Sequence, residues 1–518
     1  MTPKRRTAMV AALLLLPACS GATRGGDGGD EGGSGRQVLR VLTVNMPRSL
    51  DPVDIDAQRM PENGLADTLV VQNDDATLRP GLATRWRLLK PTLWEFDIRP
   101  GVRFWSGAPA DAAAVKASFE RHQRRNTRVK SLLSGLEFVA AGPTTLRVRT
   151  GKPVPGLPFQ LSFFALGVHN AAEAERRGED FKRHPDLTGF MKPVRFVPGE
   201  TLVAEANPHY WGLPPGGSRL KGIEARLGAD SQGRTLALRA GDADADYNME
   251  IDQQAQYERA RPAFQVYATV PTTRNIWLNL GKAPALRDRA VRTALDLAAD
   301  RRALIDGLNH GYARPATGHF PAGLPYAITT GTRTDVEKAK SVLDAAGWVP
   351  GPDGVRARGG TRLHFRILTY AVFQPLAIAL QSQWRRIGVG TELAPVETTA
   401  SNQMMLDGDF EIATYCSCGS ATGDIAGQLR AFYRTGVVTN YGGYSNPDAD
   451  RLIDELGTEF DQGRQYALAK RIQEIVRGDV ALLYLYASTQ WGAAYTGRVR
   501  GVDPKLSKRV VPGMWIAG

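Results

Sequence analysis

LRPGLATRWRLLKPTLWEFDIRPGVRFWSGAPADAAAVKASF, running from Leu78 to Phe119, is the stretch from which the rest of the chain is read. Arg79-Pro80-Gly81-Leu82-Ala83 reads as a turn into a short helical step, because Pro fixes φ and Gly supplies freedom. Trp94, Phe96 and Ile98 alternate with Glu95, Asp97 and Arg99, the period of a strand with one apolar face. Pro100-Gly101 and Ser106-Gly107 bracket a second short strand carrying Val102 and Phe104. Asp111 starts a helix whose Ala114, Val115 and Phe119 share a face.

Working outward, the N-terminus reads MTPKRRTAMVAALLLLPAC. Lys4, Arg5 and Arg6 precede an apolar run from Met9 to Leu16 that is too short to span a bilayer, which needs about 20 residues. This is a secretory signal. It ends Leu16-Pro17-Ala18-Cys19, which resembles a bacterial lipobox and implies cleavage before Cys19 and lipidation of its thiol. Residues 20–37 carry almost no apolar side chains and read as a flexible tether with a reach on the order of 25 Å. The formal charge is +12. Removing residues 1–18 takes away three of those positive charges and leaves +9. The basic residues are scattered, without a block interleaved with aromatics, so nucleic-acid binding is not expected. Three cysteines among 518 residues exclude a disulfide scaffold.

Beyond the opening stretch, Val38 to Val44 reads as a first strand ended by Leu50-Asp51-Pro52. Strands around Leu146 and Val148, around Ile276 and Leu278, and around Leu363, Phe365 and Ile367 alternate with helices. One amphipathic helix is read over Arg289 to Ile305. A second runs from Thr334 to Gly347, with Thr334 and Glu337 as its capping box. A third carries Leu376, Leu380, Trp384 and Ile387. Asn446-Pro447 opens a fourth, and 466–476 form a fifth. Strands alternating with helices imply an α/β architecture. Catalytic patterns are missing: no H-E-x-x-H, G-x-S-x-G, Walker loop or G-x-G-x-x-G occurs. No two of the seven histidines stand at metal-pair spacing. The expectation is a protein that is not an enzyme and carries no cofactor.

The order Pro80, Leu82, Ala83, Trp86, Trp94, Phe96, Ile98, Arg99, Gly101, Val102, Phe104, Gly107, Pro109, Ala112, Val115 and Ser118 resembles the signature region of family 5 extracytoplasmic solute-binding proteins, the peptide- and nickel-type receptors of ABC importers. Asn207-Pro208-His209-Tyr210-Trp211, Arg234 to Ala245 and Arg289 to Arg301 resemble further segments of that family. Thr188-Gly189-Phe190-Met191 keeps only half of the family's Thr-Gly-Pro-aromatic step, which lies near a crossing between lobes. The resemblance implies a two-lobed periplasmic-binding-protein-like fold with an extra subdomain and a ligand cleft between the lobes. The divisions it implies are 1–18 signal peptide, 19–37 tether, 38–75 lobe I, 76–187 inserted subdomain of lobe I, 188–274 lobe I, 275–490 lobe II and 491–518 lobe I.

The same resemblance directs attention to Asp409 to Phe432. Asp409-Phe410-Glu411 matches the lead into a strand after which relatives line the cleft. The Asp that holds a peptide amino group in peptide receptors would fall near Cys418 or Gly419 and is not matched. The Trp of nickel-chelate receptors is missing there too. Asp424 resembles a nearby family Asp, and Arg128 aligns with a basic residue that nickel-type receptors use on an acidic chelator. Cys416-Ser417-Cys418 leaves three readings open: a soft-metal pair, a redox-labile disulfide, or two small residues packing the pocket wall. Candidate ligand-binding residues are therefore Trp105, Arg128, Tyr415, Cys416, Cys418 and Asp424, with Cys19 as the lipidation site. The function implied is a lipid-anchored receptor, extracytoplasmic and held on the cell membrane, that passes a solute to ABC permease and ATPase subunits. A peptide is the leading ligand and a nickel or other metal chelate the alternative. A non-transport sensor lipoprotein and a secreted hydrolase are the readings from other classes.

Overall fold

The periodic segments of the sequence condense into three main sheets in the computed structural model. It describes residues 37–517 apart from Gln58, Ala229, 269–270, Thr332, 417–422 and 490–491. Cys19, the tether and Cys418 lie outside the described residues.

The first sheet has seven strands, in the order Phe264–Tyr267, Gly492–Thr496, Ala245–Met249, Val38–Thr43, Gly222–Leu227, Thr201–Ala206 and Met191–Val197. Val38–Thr43 runs parallel to both of its neighbours. The second sheet has six, in the order Arg314–Pro315, Leu482–Ser488, Thr272–Leu278, Ile412–Cys416, His364–Thr369 and Gly390–Pro395. Its central strands are buried on both faces, so they read as continuous apolar runs and not as alternation. The third is an antiparallel sheet of two hairpins in the order Ala83–Lys90, Leu93–Ile98, Thr145–Thr150 and Leu136–Gly142, covered by the helix Ala112–Arg125.

One antiparallel ribbon ties the two large sheets together. Phe264–Tyr267 pairs with Gly492–Thr496 in the first sheet, and Thr272–Leu278 pairs with Leu482–Ser488 in the second. Tyr267 lies opposite Ala493, and Thr272 opposite Ser488. Four residues therefore separate the paired positions on each strand (268–271 and 489–492), and the register is the same on either side. Strand directions place the carboxyl ends of the parallel strands of both sheets at this crossing. In open α/β sheets, that edge is where ligands bind.

The third sheet is fastened to the first by buried charge. Asp51, just beyond the first strand, receives a two-pronged bond from Arg121 at 2.7 and 2.6 Å. His169 Nε2 lies 3.2 Å from the same guanidinium, and His169 Nδ1 lies 3.1 Å from Ser118 Oγ. The Asn207–Trp211 turn is fixed by Asp67, which accepts from Tyr210 Oη at 2.9 Å and Trp211 Nε1 at 3.1 Å. Burial raises the pKa of that carboxylate.

Several sequence expectations need correction. Arg79–Ala83 is not helical: Leu78–Pro80 is a strand, and Gly81 bends the chain into the next one. A Cβ on Gly81 would stand 2.5 Å from the Thr68 carbonyl oxygen, so close backbone approach accounts for the glycine. Val102 and Phe104 flank a single bridge between Arg103 and Pro109 and form no strand. Glu95 is buried, not on a wet face, because Arg87 and Arg147 neutralise it. The long helix over 289–305 is two helices, Arg289–Ala298 and Arg301–Asn309, because Asp300 turns out to cap the second. The cap of Val336–Ala345 is Asp335; Thr334 donates to the Ala299 carbonyl instead. Residues 188–191 join the inserted subdomain to an edge strand of the first sheet, so they are no crossing between the lobes.

Three histidines are fully buried, and burial pushes their pKa values down: His122 to about 4, His319 to about 3, and His169 well below the ordinary range. His122 Nε2 lies 3.0 Å from the Gly167 carbonyl oxygen. A base held below its unfolded value of 6.5 binds fewer protons folded than unfolded. Its contribution is present above that value and is lost as pH falls towards 4, at about 1.4 kcal/mol per pH unit. Buried carboxylates such as Asp67 act with the opposite sign, so the expected readout is a difference. In urea unfolding, the stability gap between the wild type and His122→Gln should narrow steadily from pH 6.5 to 4.5. A gap that stays constant would contradict a neutral His122.

Candidate functional site

The carboxyl edge of the first sheet opens onto a hollow of about 170 Å³ lined by residues 44–47, 55–56, Arg59, Met60 and Asn63. Arg59 Nη1 donates to Glu62 Oε1 at 2.6 Å, and its guanidinium stands 5.6 Å from the centre of the Phe164 ring. Arg128 stands 5.6 Å from Phe163 and 5.7 Å from Phe164. Two arginines thus flank one aromatic ring, and burial, then Arg59, pushes the Arg128 pKa down. Lys508 is buried in the same region, near Arg59 and Glu62, and among the described residues no carboxylate lies within ion-pair distance of it.

The facing edge of the second sheet carries Arg274, Tyr370, Cys416 and Tyr486. Arg274 lies opposite Cys416 on one side and Tyr486 on the other. Its guanidinium stands 5.3 Å from the Phe373 ring centre. Tyr370 packs on Phe373 at 5.0 Å and on Tyr415 at 6.5 Å. Burial raises the phenol of Tyr370 to about 12, so it stays a neutral donor. Tyr415 donates to Asn402 Oδ1 at 3.1 Å and leads a row of rings through Tyr441 to Trp277.

The inserted subdomain meets the second lobe at one rim of this space. Asp424 caps the helix Ile425–Tyr433 by accepting from Gly427 N at 3.0 Å, and Gln160 Nε2 lies 3.5 Å from its other oxygen. Burial raises its pKa. Beside it, a cavity of about 320 Å³ runs between residues 152–160 and 424–458. A Cβ on Gly156 would stand 2.7 Å from Asp424 Oδ1, and one on Gly423, where φ is +73°, would stand 2.1 Å from the Phe159 ring. Here the two bodies touch nearly backbone to side chain. Trp94 and Phe460 extend the contact, their ring centres 6.4 Å apart. His310 Nε2 and Asp252 Oδ1, 2.7 Å apart, form a further contact between the lobes.

The structure disperses the residues expected from the sequence. Trp105 donates its indole N–H to the Gly189 carbonyl at 2.9 Å and packs on the core of the first sheet, tying the 104–107 turn to 187–189. Arg128 stands against rings on the first lobe, and Tyr415 lies within the second. Cys416 is buried and disulfide-bonded, which removes its thiol from the soft-metal and simple-packing readings; Cys418 lies outside the described residues. Asp424 holds a helix end and the subdomain contact, so its oxygens are already engaged. Sequence reasoning passed over Arg274. Its signal was a lone charge inside the otherwise uncharged strand TTRNIWL. Among the described residues, no group of three His, Cys, Asp or Glu side chains converges as a metal site.

Two α/β lobes with apposed carboxyl edges and a paired-strand crossing define the two-lobed binding-protein fold. Residues 77–440 match the model of the bacterial extracellular solute-binding proteins, family 5 Middle, and the chain belongs to that family. It is 28% identical to Protein XP55 of Streptomyces lividans over 92% of this chain and 88% of that one. It is 26% identical to the nickel-binding periplasmic protein of Escherichia coli over 84% of this chain and 86% of the relative. Among solved structures, it is similar to a nickel ABC transporter protein of Bacillus halodurans, with a TM-score of 0.76 and 26% identity, covering 92% of this chain and 99% of that one. No helix of the described residues is long and apolar enough to cross a membrane.

The Gly423 contact is testable. Gly423→Ala places a side chain against Phe159 and in a backbone region that costs an L-residue roughly 1–2 kcal/mol. The expected result is a larger radius of gyration in small-angle scattering and a lower melting temperature. An unchanged radius would show that the subdomain contact does not limit closure.

Proposed function

We propose that this chain is a lipid-anchored receptor that captures a solute between its lobes and hands it to the permease of an ABC importer, without chemistry on the solute. The observation that carries the reading is the ribbon shared by both sheets. A binding protein that closes around its ligand needs two rigid bodies joined by few strands, and a paired crossing permits hinge motion while preserving strand register. The lipid on Cys19 and the Gly-rich leash would keep the receptor near its membrane partner. A short peptide is the solute we favour: the half-buried tyrosines of the second lobe offer adaptable contact area with polar tips, suited to side chains of varied size. Nickel or another metal carried by a small organic acid is the second reading, favoured by the nickel-binding relatives at 26% identity.

Native mass spectrometry of the Cys19→Ser chain, before and after mild denaturation, tests the ligand. A ladder of co-purified short peptides supports the first reading; a single mass with a metal isotope pattern replaces it with the second. An empty protein whose melting temperature also ignores a peptide library and nickel–histidine or nickel–citrate mixtures overturns both.

Anchoring is tested separately. The wild type is expected in the membrane fraction and Cys19→Ser in the soluble one. A Cys19→Ser chain that stays with the membrane refutes lipid attachment at that residue.

A further inference from the structure

Six arginines are buried among the described residues: Arg121, Arg234, Arg274, Arg292, Arg301 and Arg356. The fold gives four of them a carboxylate and a fifth a set of carbonyl oxygens. Arg121 is held by Asp51, Arg234 by Asp246, Arg301 by Asp296 and Arg356 by Asp344. Arg292 is held by backbone carbonyls of Leu286, Arg287 and Asp479. Arg274, only 6% exposed, has a single bond, from Nη1 to Thr272 Oγ1 at 3.3 Å. Around it stand the rings of Phe373, Tyr370 and Tyr486. Among the described residues, no carboxylate comes within ion-pair distance of it.

A desolvated guanidinium with neither an anion nor a set of carbonyl acceptors is costly, and a fold that supplies one or the other to the remaining five has no evident use for an exception. Its place gives one. Arg274 lies at the end of its strand that faces the other lobe, beside the ribbon crossing, where ligand enters and the lobes close. An anion supplied there would meet a donor fork already aimed and stripped of most of its water.

We infer that Arg274 is an anion-binding residue of the cleft and that the transported solute carries a carboxylate or phosphate-like group which completes it on closure. The inference rests on the receptor reading above and narrows its substrate class to acidic solutes. In a peptide, the group is the terminal carboxylate or an acidic side chain; in a metal chelate, it is an acid of the chelator.

The experiment uses the full Cys19→Ser chain with Arg274→Met and Arg274→Lys variants, melted at constant ionic strength. The probes are chloride, succinate, inorganic phosphate, trialanine and trialanine amide. The expected result is that at least one acidic probe raises the melting temperature over chloride, with trialanine about tenfold tighter than its amide if the carboxylate is peptidic. A succinate or phosphate shift without a trialanine shift assigns the anion to a non-peptide solute. Arg274→Met should lose the acid-dependent shift, while melting in chloride at or above the wild type because an unpaired buried charge is gone. Arg274→Lys should keep part of the shift.

Three results overturn the inference: no acidic probe stabilises beyond the neutral amide, Arg274→Met retains the full acid shift, or Arg274→Met melts well below the wild type in chloride. The last would show a structural guanidinium. If native mass spectrometry finds a neutral or cationic solute, the receptor reading stands and this inference fails alone.

Discussion

The ribbon through both large sheets is the constraint on which the rest of the structure depends. Phe264–Tyr267 and Gly492–Thr496 belong to one lobe, Thr272–Leu278 and Leu482–Ser488 to the other, and the pairing offset at Tyr267/Ala493 equals that at Thr272/Ser488. This arrangement forces the carboxyl edges of the parallel strands to face each other. Everything at the candidate site follows from that apposition: the hollow beside Arg59, the edge with Arg274 and Tyr370, and the rim where Gln160 meets Asp424. A crossing by strands also explains why the lobes can be rigid and still move. Each keeps its own core, one built around Val291, Leu295 and Trp384, the other around Leu39, Ile223 and Tyr247.

Buried charge does a second job, that of registration. Arg121 with Asp51 joins the inserted subdomain to the first lobe; Arg234 with Asp246 fixes a helix to a strand; Arg301 with Asp296 locks two successive helices at their break. Such pairs add little net stability over apolar packing, because desolvation offsets attraction, but removing one partner is severe. They therefore act as keys for position. Against that pattern, the isolation of Arg274 is informative: the same physics that demands a partner elsewhere leaves this guanidinium waiting at the edge where the lobes meet.

Much of the fold could be read in advance because local signals were strong. Asp111 and Asn446 announced helix starts by their own chemistry and stand there in the structure. The alternation of Trp94, Phe96 and Ile98 placed a strand correctly. Errors came where a tertiary partner overrode a local rule. Gly81 looked like a turn residue leading into a helix, yet a neighbouring carbonyl needed its missing Cβ. Thr334 fitted a capping box but was taken by the Ala299 carbonyl. Glu95 looked solvated until two arginines from adjacent strands closed over it. The site fared worse: Trp105 and Asp424 were chosen by position in a pattern, and both turn out to hold the scaffold together.

The sequence by itself determined the class of element at most positions and the membership of a receptor family, because these depend on periodicity, capping and spacing that each segment carries alone. Only the tertiary structure decided which edges of which sheets face each other, which carboxylates are already engaged and how few acceptors surround Arg274. Those are properties of pairs distant in the chain. A guanidinium reads the same in a sequence whether or not an aspartate seventy residues away has been folded against it.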